Sequence, residues 1–375
     1  MRFHNVVSPV GKKKKRDNLM SSTKKILVFR MGSIGDTVVA LPAFHLIRQT
    51  YPNHQIYLLT NEPISGKAAP AMTLLEGAGL CDGSLAYPSN SRDYSQLSAL
   101  RQEIRSHNFE TAVHLFTDLG RGWLRSWRDC LFLRSCGIRH VLGWPPLWPP
   151  KPAWQSPGVM ERQSVGLVCK LHRLGQSDIN NLSAWELHLR ANEKEMAALL
   201  LQEGDISQPF MVASIGTKAL AKDWGDDNWM RVLAQIYSSR PDIGLVLIGA
   251  ADEQERSENI RRQWSGKSLN LCGRCEPRIS AAVLAQASLF VGHDSGPMHL
   301  AAAMGIPVVA IFSWHNAPGY WFPGSADWPQ IQIFYPPLPE GHWHPGLRML
   351  RSPTEGVLLI QPEPVAEACL RLLLT

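Results

Sequence analysis

The 375-residue chain lacks the short motifs that identify several large classes of enzyme. It contains no GxGxxG turn, no GxxxxGK(S/T) phosphate loop and no GxSxG elbow. The fingerprints of a dinucleotide-binding domain, a P-loop NTPase and an α/β-hydrolase are therefore missing. Glu62 follows a predicted strand, but without the glycines it is a weak indication of a ribose-binding acid.

Cysteine is scarce and irregularly spaced. The seven cysteines show no disulfide-framework spacing, which suits a reducing compartment. Cys272 and Cys275 form a single CxxC motif, but a zinc site needs two more ligands and His293 is the only nearby candidate. A zinc site is therefore the less favoured interpretation of this motif.

Long apolar runs are also missing. The longest stretch without a charged side chain, residues 295–326, contains four prolines and is interrupted by glycine and histidine, so we expect no membrane-spanning helix. No apolar segment follows the basic run Lys12–Arg16, as it would in a secretory signal. These absences predict a cytoplasmic protein.

Excess positive charge is confined to one end of the chain. The formal net charge is +6, but residues 1–25 contain eight lysines and arginines against one aspartate, so the remainder is close to neutral. We interpret residues 1–23 as a basic, disordered tail. This distribution predicts no nucleic-acid partner and at most a peripheral contact with the anionic inner face of the cytoplasmic membrane.

The order of predicted elements indicates two α/β domains. A strand at Lys24–Arg30, a helix and a second strand at Gln55–Thr60 form a βαβ unit, which predicts a parallel sheet. The alternation starts again with a strand at Phe210–Ser214, and 375 residues are enough for two domains. We predict domains at 24–185 and 209–361, a linker at 186–208 and a terminal helix at 362–375.

The most informative stretch is Phe290–Phe312, which reads FVGHDSGPMHLAAAMGIPVVAIF. An apolar strand ends at a short polar turn, and a helical segment of small residues follows. Pro297 suits the first turn of that helix, and the free amides beside Ser295 and Gly296 form a site for an anion such as a diphosphate. His299 is expected one turn inside the same helix end.

Asp36 ends a GxxGD turn that follows the first predicted strand. Open parallel sheets present ligands at this edge. A carboxylate in this position acts either as a cap for the next helix or as a general base. The residues alone leave both roles open.

Arginine and tryptophan are concentrated in residues 120–139, where Arg121, Arg128 and Trp127 are examples. Such side chains bind phosphates and sugar faces, although an exposed helix with snorkelling side chains has the same pattern. The next segment, 143–158, contains three tryptophans and six prolines. It predicts an ordered loop over a cleft.

Two of these stretches carry a family resemblance. The run DSGPMHLAAAMGIPVVAIF resembles the donor-site signature of glycosyltransferase family 9, the bacterial heptosyltransferase-like enzymes. RMGSIGDTVVALPA is similar to the first motif of that family, and the resemblance continues in order over Lys24–Thr375. It implies the GT-B fold, in which two Rossmann-like domains with parallel sheets face each other and a C-terminal helix crosses back to the first domain.

The resemblance also implies roles for individual residues. Asp36 matches the proposed general base of the family, while Lys222, placed before Asp-Trp, and Thr217 match a donor loop that binds diphosphate. The remaining implied donor contacts are Glu253, Asp294, Ser295, Gly296, Pro297 and His299. The candidates for acceptor or loop contacts are Gly35, Arg121, Arg128 and His315.

Some of these assignments remain open. Glu255 is an alternative to Glu253 as ribose ligand, and a solvated helix end explains the acidic cluster equally well. The loop Ser313–Gly324 resembles a family loop beside the donor. After it, many relatives have cysteines where this chain reads YPPLPEGHWHPG.

The implied activity is inverting transfer of a sugar, with heptose as a candidate. The donor is a nucleotide diphosphate sugar, and the acceptor is a saccharide or lipid-linked molecule in lipopolysaccharide or other envelope assembly. Because the chain contains no DxD pair, we expect no metal, with the leaving charge neutralised by Lys222 and helix amides. The alternatives are a nucleotide-sugar epimerase or hydrolase of the same fold, and a non-catalytic partner protein.

Overall fold

The computed structural model describes residues 24–61, 70–87, 93–116, 123–144, 159–217, 219–315, 317–337 and 356–374. The predicted tail at 1–23, Arg121 and most of the predicted loop at 143–158 lie outside these ranges. None of the helices in the described ranges is long and apolar enough to cross a membrane.

The first half of the chain forms a five-stranded parallel sheet with the order β3-β2-β1-β4-β5. Its strands are β1 Lys25–Phe29, β2 Gln55–Asn61, β3 Gly83–Tyr87, β4 Thr111–His114 and β5 His140–Leu142. The helices around it are α1 Ile34–Val39, α2 Leu41–Thr50, α3 Met72–Leu75, α4 Tyr94–Ser106, α5 Trp123–Ser135 and α6 Gln163–Lys170.

The second half forms a six-stranded parallel sheet with the order β11-β10-β9-β6-β7-β8. Its strands are β6 Phe210–Ser214, β7 Gly244–Leu247, β8 Ser268–Asn270, β9 Leu289–His293, β10 Val308–Ile311 and β11 Ile331–Phe334. The helices are α7 Ala191–Glu203, α8 Asp226–Ser239, α9 Gln254–Arg261, α10 Pro277–Leu284, α11 Gly296–Ala303 and α12 Pro362–Leu372. Two parallel α/β units confirm the predicted fold class.

Helices cover both faces of each sheet, which explains the nearly continuous apolar runs of the strands. In β1, Ile26 and Val28 pack into one buried cluster with α1 and α2. Leu27 and Phe29 point to the other face, into a cluster that includes side chains of α4 and α5. Because successive side chains of a strand point to opposite faces of the sheet, this one strand contributes to two buried clusters.

The predicted first helix is divided in two at Ala40. Pro42 lies in the first turn of α2 and has no N–H to donate to the preceding turn, so α1 ends after six residues. Only residues 30–33 separate β1 from α1, so the amino end of α1 lies close to β1. That end carries Asp36.

The last helix departs from the expectation. We predicted that it would cross back to the first domain, but α12 packs on α8 and against β9 and β10 of the second sheet. Val365, Cys369 and Leu372 are buried in the same cluster as Trp229 and Ile236 of α8. The apolar side of α12 is satisfied by its own half of the molecule.

The two halves contact each other through helices. Helix α1 packs on α11, and α10 packs on both α3 and α7, which lies in the stretch predicted as a linker. Arg278 of α10 is 5% exposed and donates to the carbonyl oxygens of Leu74 at 2.9 Å and Leu187 at 3.0 Å. It also donates to both carboxylate oxygens of Glu193, at 2.6 and 2.9 Å. One buried guanidinium therefore joins α3, α7 and α10.

Replacing this arginine should destabilise the folded chain strongly. Arg278→Met leaves Glu193 and two carbonyl groups without their buried donor, so we expect the free energy of unfolding to fall by about 3 kcal/mol in urea denaturation. Arg274→Met is the matched control, because Arg274 pairs with Glu203 at the surface. The control should cost less than about 1 kcal/mol, and equal losses in both variants would contradict the assignment.

Candidate active site

A cleft of about 730 Å³ lies where the two halves of the chain meet. Its lining comes from the carboxyl ends of strands and from the helix ends that follow them, the usual ligand position in open α/β sheets. Ser33, Ile34, Gly35 and Asp36 belong to the first half. Described residues of the second half that line it include Thr217, Lys222, Glu253, Cys275, Asp294, Ser295, Gly296, Pro297, His299, His315 and Trp321.

Asp36 is held at the amino end of α1 by the turn before it. Its Oδ2 accepts hydrogen bonds from the backbone N–H of Ser33 at 2.8 Å and the Ser33 hydroxyl at 3.1 Å. Gly32 has φ of +142°, and a Cβ there would lie 2.3 Å from the Asp36 Cβ, so this turn requires glycine. Asp36 thus belongs to the cap of α1 and also lines the cleft.

Arg30 holds the same turn through its backbone. It is 5% exposed, and its Nε and Nη2 donate to the backbone carbonyl of Asp36 at 3.1 and 2.6 Å. Its Nη1 donates to the carbonyl of Leu115 at 3.0 Å. The guanidinium therefore fastens α1 to the chain that follows β4. Sequence reasoning did not single out Arg30, because its function depends on contacts formed in the fold.

Helix α11 begins at the cleft with its free amides beside Ser295. The Ser295 hydroxyl and His299 Nδ1 are buried and have no hydrogen-bond partner within the described part of the chain. A Cβ on Gly35 would lie 3.1 Å from the His299 ring, so α1 and α11 touch at their amino ends. The amides and the two unpartnered polar atoms suit a bound anion or hydroxyl-rich ligand.

Burial also sets the charge of His299. Desolvation lowers its pKa to about 4, against the opposing influence of Asp294 and Asp36. The imidazole is therefore neutral at ordinary pH. It presents either a hydrogen-bond donor or an acceptor to a ligand, but no positive charge.

The positive charge comes from Lys222. Its ammonium lies 2.6 Å from Oδ2 of Asp294, and the two side chains are 17% and 7% exposed. Lys222 ends a 3₁₀ turn after β6, and Asp294 follows β9, the neighbouring strand. Because adjacent parallel strands end side by side, the sheet brings together two residues that are 72 positions apart.

His293 anchors the loop that carries this lysine. It is fully buried, and its Nε2 accepts the backbone N–H of Trp224 at 3.1 Å. Its Nδ1 lies 3.3 Å from the carbonyl of Gly216 and must carry the proton, since carbonyl oxygens only accept. Burial lowers the pKa of His293 to about 4, which keeps this neutral tautomer. One ring therefore ties both ends of the loop from Gly216 to Trp224.

Glu253, rather than Glu255, lines the cleft. It accepts the backbone N–H of Ala250 at 3.0 Å, and a Cβ on Gly216 would lie 1.9 Å from its carboxyl carbon. The carboxylate is thus packed against the backbone at the ends of β6 and β7. Thr217 also lines the cleft, next to the same turn.

Arg128 is not among the residues of the cleft. Its side chain is 62% exposed and donates to Asp129 at 3.0 Å. Arg121 lies outside the described residues. The structure instead adds Cys275 and Ser280, which line the cleft near the turn after β8. In the sequence, Ser280 had no signal beyond its place after a predicted strand, and Cys275 was considered only as part of the CxxC motif.

No group of three or more His, Cys, Asp or Glu side chains in the described ranges could hold a metal ion. His293, the only extra ligand considered for the CxxC motif, is engaged with Trp224 and Gly216. Cys272 is buried and lies 3.2 Å from the Ser257 hydroxyl.

Comparison with known proteins gives consistent matches. Residues 163–333 match the family described as "Glycosyltransferase family 9 (heptosyltransferase)". The lipopolysaccharide core heptosyltransferase OpsX of Haemophilus influenzae is 20% identical over 301 residues, which cover 78% of this chain and 80% of that protein.

Solved structures agree in fold. A family 9 glycosyltransferase from Veillonella parvula has a TM-score of 0.70 at 18% identity, covering 94% of this chain and 97% of that one. The Escherichia coli ADP-heptose lps heptosyltransferase II has a TM-score of 0.64 at 19% identity, covering 93% and 98%. Both extend across the two sheets, so the fold is shared over nearly the whole chain.

Acidification should destabilise the folded chain partly through His299. Its pKa of about 4 lies below the value near 6.5 of an unfolded-state imidazole, so the unfolded chain binds more protons between these values. The stability contributed by the neutral ring is complete above about pH 6.5 and is lost as the pH falls toward 4. In urea denaturation, His299→Met should reduce the loss between about pH 6.5 and 5 by about 1 to 2 kcal/mol.

His172→Met is the control for this measurement. His172 is exposed, so its ring is hydrated in the folded and unfolded chains alike. The control should lose as much stability as the unaltered protein over the same pH interval. If His299→Met did so too, the buried neutral ring would be disproved.

Proposed function

We propose that the chain is a nucleotide-sugar glycosyltransferase of family 9 and that it transfers a heptose from ADP-heptose to a saccharide or lipid-linked acceptor. The donor is suggested by the name of the E. coli ADP-heptose enzyme that shares the fold. The name of the Haemophilus relative supports an acceptor in the lipopolysaccharide core. The observation that carries the proposal is the single cleft that joins Asp36 to Lys222 and the amino end of α11.

Asp36 acts as the general base. The acceptor hydroxyl gives its proton to the Asp36 carboxylate. At the same time the acceptor oxygen bonds to the anomeric carbon of the donor, and the bond between that carbon and the diphosphate breaks. The base comes from the first half of the chain and the diphosphate site from the second. A single displacement between these groups inverts the anomeric configuration.

Lys222 and the α11 amides receive the departing diphosphate. A lysine ammonium and free N–H groups are preorganised donors for the charge that develops on the leaving oxygen. Asp294 holds Lys222 in position, at 2.6 Å. We propose that these groups neutralise the charge without a metal ion, so activity should survive treatment with a chelator.

The nucleoside occupies the far end of the cleft. Glu253 is placed to accept hydrogen bonds from a ribose, and Thr217 lies beside the diphosphate position. The nucleobase then lies toward Cys275 and Ser280. The acceptor enters from the first half, and the enzyme works in the cytoplasm at the inner face of the membrane. We also propose that residues 24–185 form the acceptor-binding domain and residues 209–361 the donor-binding domain.

A screen of nucleotide sugars tests the donor. ADP-heptose should raise the melting temperature of the purified protein more than UDP- or GDP-sugars, because only a bound ligand stabilises the folded state. Absence of a shift with any nucleotide would contradict the donor site. Analysis of the products separates transfer from epimerisation, since an epimerase changes the donor without an acceptor.

Asp36→Asn should separate binding from catalysis. The amide oxygen of asparagine still accepts the Ser33 N–H, so α1 stays in place and ADP-heptose binds as before. Without a base, kcat should fall by roughly a hundredfold to ten-thousandfold in a transfer assay. Asp226→Asn is the control, because this exposed carboxylate also begins a helix but lies outside the cleft lining. Turnover retained in Asp36→Asn would reject Asp36 as the base.

A further inference from the structure

Helix α5 carries a row of large apolar side chains on its solvent side. Leu124, Trp127 and Leu131 are 65%, 45% and 62% exposed. Their spacing of three and four residues places them along one side of the helix. We define the α5 outer face as these three residues together with Arg125, Arg128 and Arg134.

The opposite side of α5 is already packed. Cys130 and Leu133 are buried in the cluster below the first sheet, and Ser126 and Asp129 are buried beside them. Within the outer face, Trp127 packs edge-on against Trp144 with ring centroids 4.7 Å apart, while Leu124 and Leu131 remain largely exposed. Single exposed leucines are common, but three large apolar residues along one helix, interleaved with arginines, form a surface that suits a partner.

We propose that the α5 outer face docks on the surface of an anionic lipid bilayer. Leucine and tryptophan gain free energy when they enter the boundary between headgroups and acyl chains. Arginines beside them reach the phosphate groups of anionic lipids. The apolar side chains and the arginines therefore suit the same partner, an anionic bilayer.

The charge pattern argues against a second copy of the chain as the occupant. In a symmetric dimer, this face would meet itself and bring its arginines, Arg125, Arg128 and Arg134, close to those of the other copy. Opposing like charges destabilise such a contact. An anionic surface has no such cost.

The position of α5 gives the contact a use. The chain leaves β4 at the carboxyl edge of the first sheet and enters α5 at Trp123, so this helix begins at the edge where Asp36 lies. Docking through α5 brings that edge toward the bilayer. The benefit to catalysis rests on the proposed lipid-linked acceptor, but the docking itself does not.

Vesicle binding tests the contact directly. The full chain should co-sediment with vesicles that contain phosphatidylglycerol, and far less with vesicles of phosphatidylcholine alone. Leu124→Gln combined with Leu131→Gln should weaken binding to the anionic vesicles by at least about tenfold, because two side chains no longer enter the interface. Arg125→Gln combined with Arg134→Gln should weaken it by roughly tenfold as well.

The matched control is Met196→Gln combined with Leu199→Gln. These residues of α7 are 45% and 59% exposed, but acidic Glu195 and Glu203 share their helix. This variant should bind vesicles like the unaltered protein. All variants should keep the melting-temperature shift with ADP-heptose, so loss of vesicle binding is distinguishable from failure of the donor site.

Hydrogen exchange locates the contact, since the basic residues 1–23 also attract anionic lipid. Phosphatidylglycerol vesicles should slow amide exchange in residues 123–135. Slowing confined to residues 1–23, or equal binding by the Leu124/Leu131 variant and the unaltered protein, would overturn the proposal. Concentration-dependent dimerisation that the same variant abolishes would also overturn it.

Discussion

The contact between the amino ends of α1 and α11 is the constraint on which the site depends. Gly35 approaches the His299 ring so closely that a side chain there would lie at 3.1 Å, and a Cβ on Gly296 would lie 3.3 Å from Ile34. The free amides of α11 thus face a cleft that contains Asp36, while α1 closes it from the other half. Such close packing is possible because each helix has a glycine in its first turn, Gly35 in α1 and Gly296 in α11.

Two further interactions hold the parts that this contact brings together. Arg30 fixes the backbone carbonyl of Asp36 on one side. On the other side, His293 and Asp294, adjacent in sequence, hold different parts of the same loop. The buried neutral ring of His293 contacts both ends of the loop, and the carboxylate of Asp294 binds Lys222 within it. The chemistry proposed for Lys222 therefore depends on two residues at the end of β9, the strand beside β6.

Much of the fold follows from local sequence. Strands of three to seven residues alternate with amphipathic segments, so the parallel α/β architecture was predictable. The exceptions have physical causes. Pro42 divides the first helix, and α12 covers its own sheet because its apolar residues pack into one buried cluster with those of α8. A family expectation about the last helix failed where side-chain packing decided its partner.

The sequence by itself predicted the fold class and the candidate groups of the site: two α/β units, a GxxGD turn, a DSGP helix start and a lysine before Asp-Trp. These are local patterns, and their residues occur within a few positions of one another. Only the tertiary structure decided that Glu253 lines the cleft and Glu255 does not, that Arg128 lies outside it, and that Arg30 and His293 hold the site. Those outcomes depend on contacts between distant segments, which no local pattern contains.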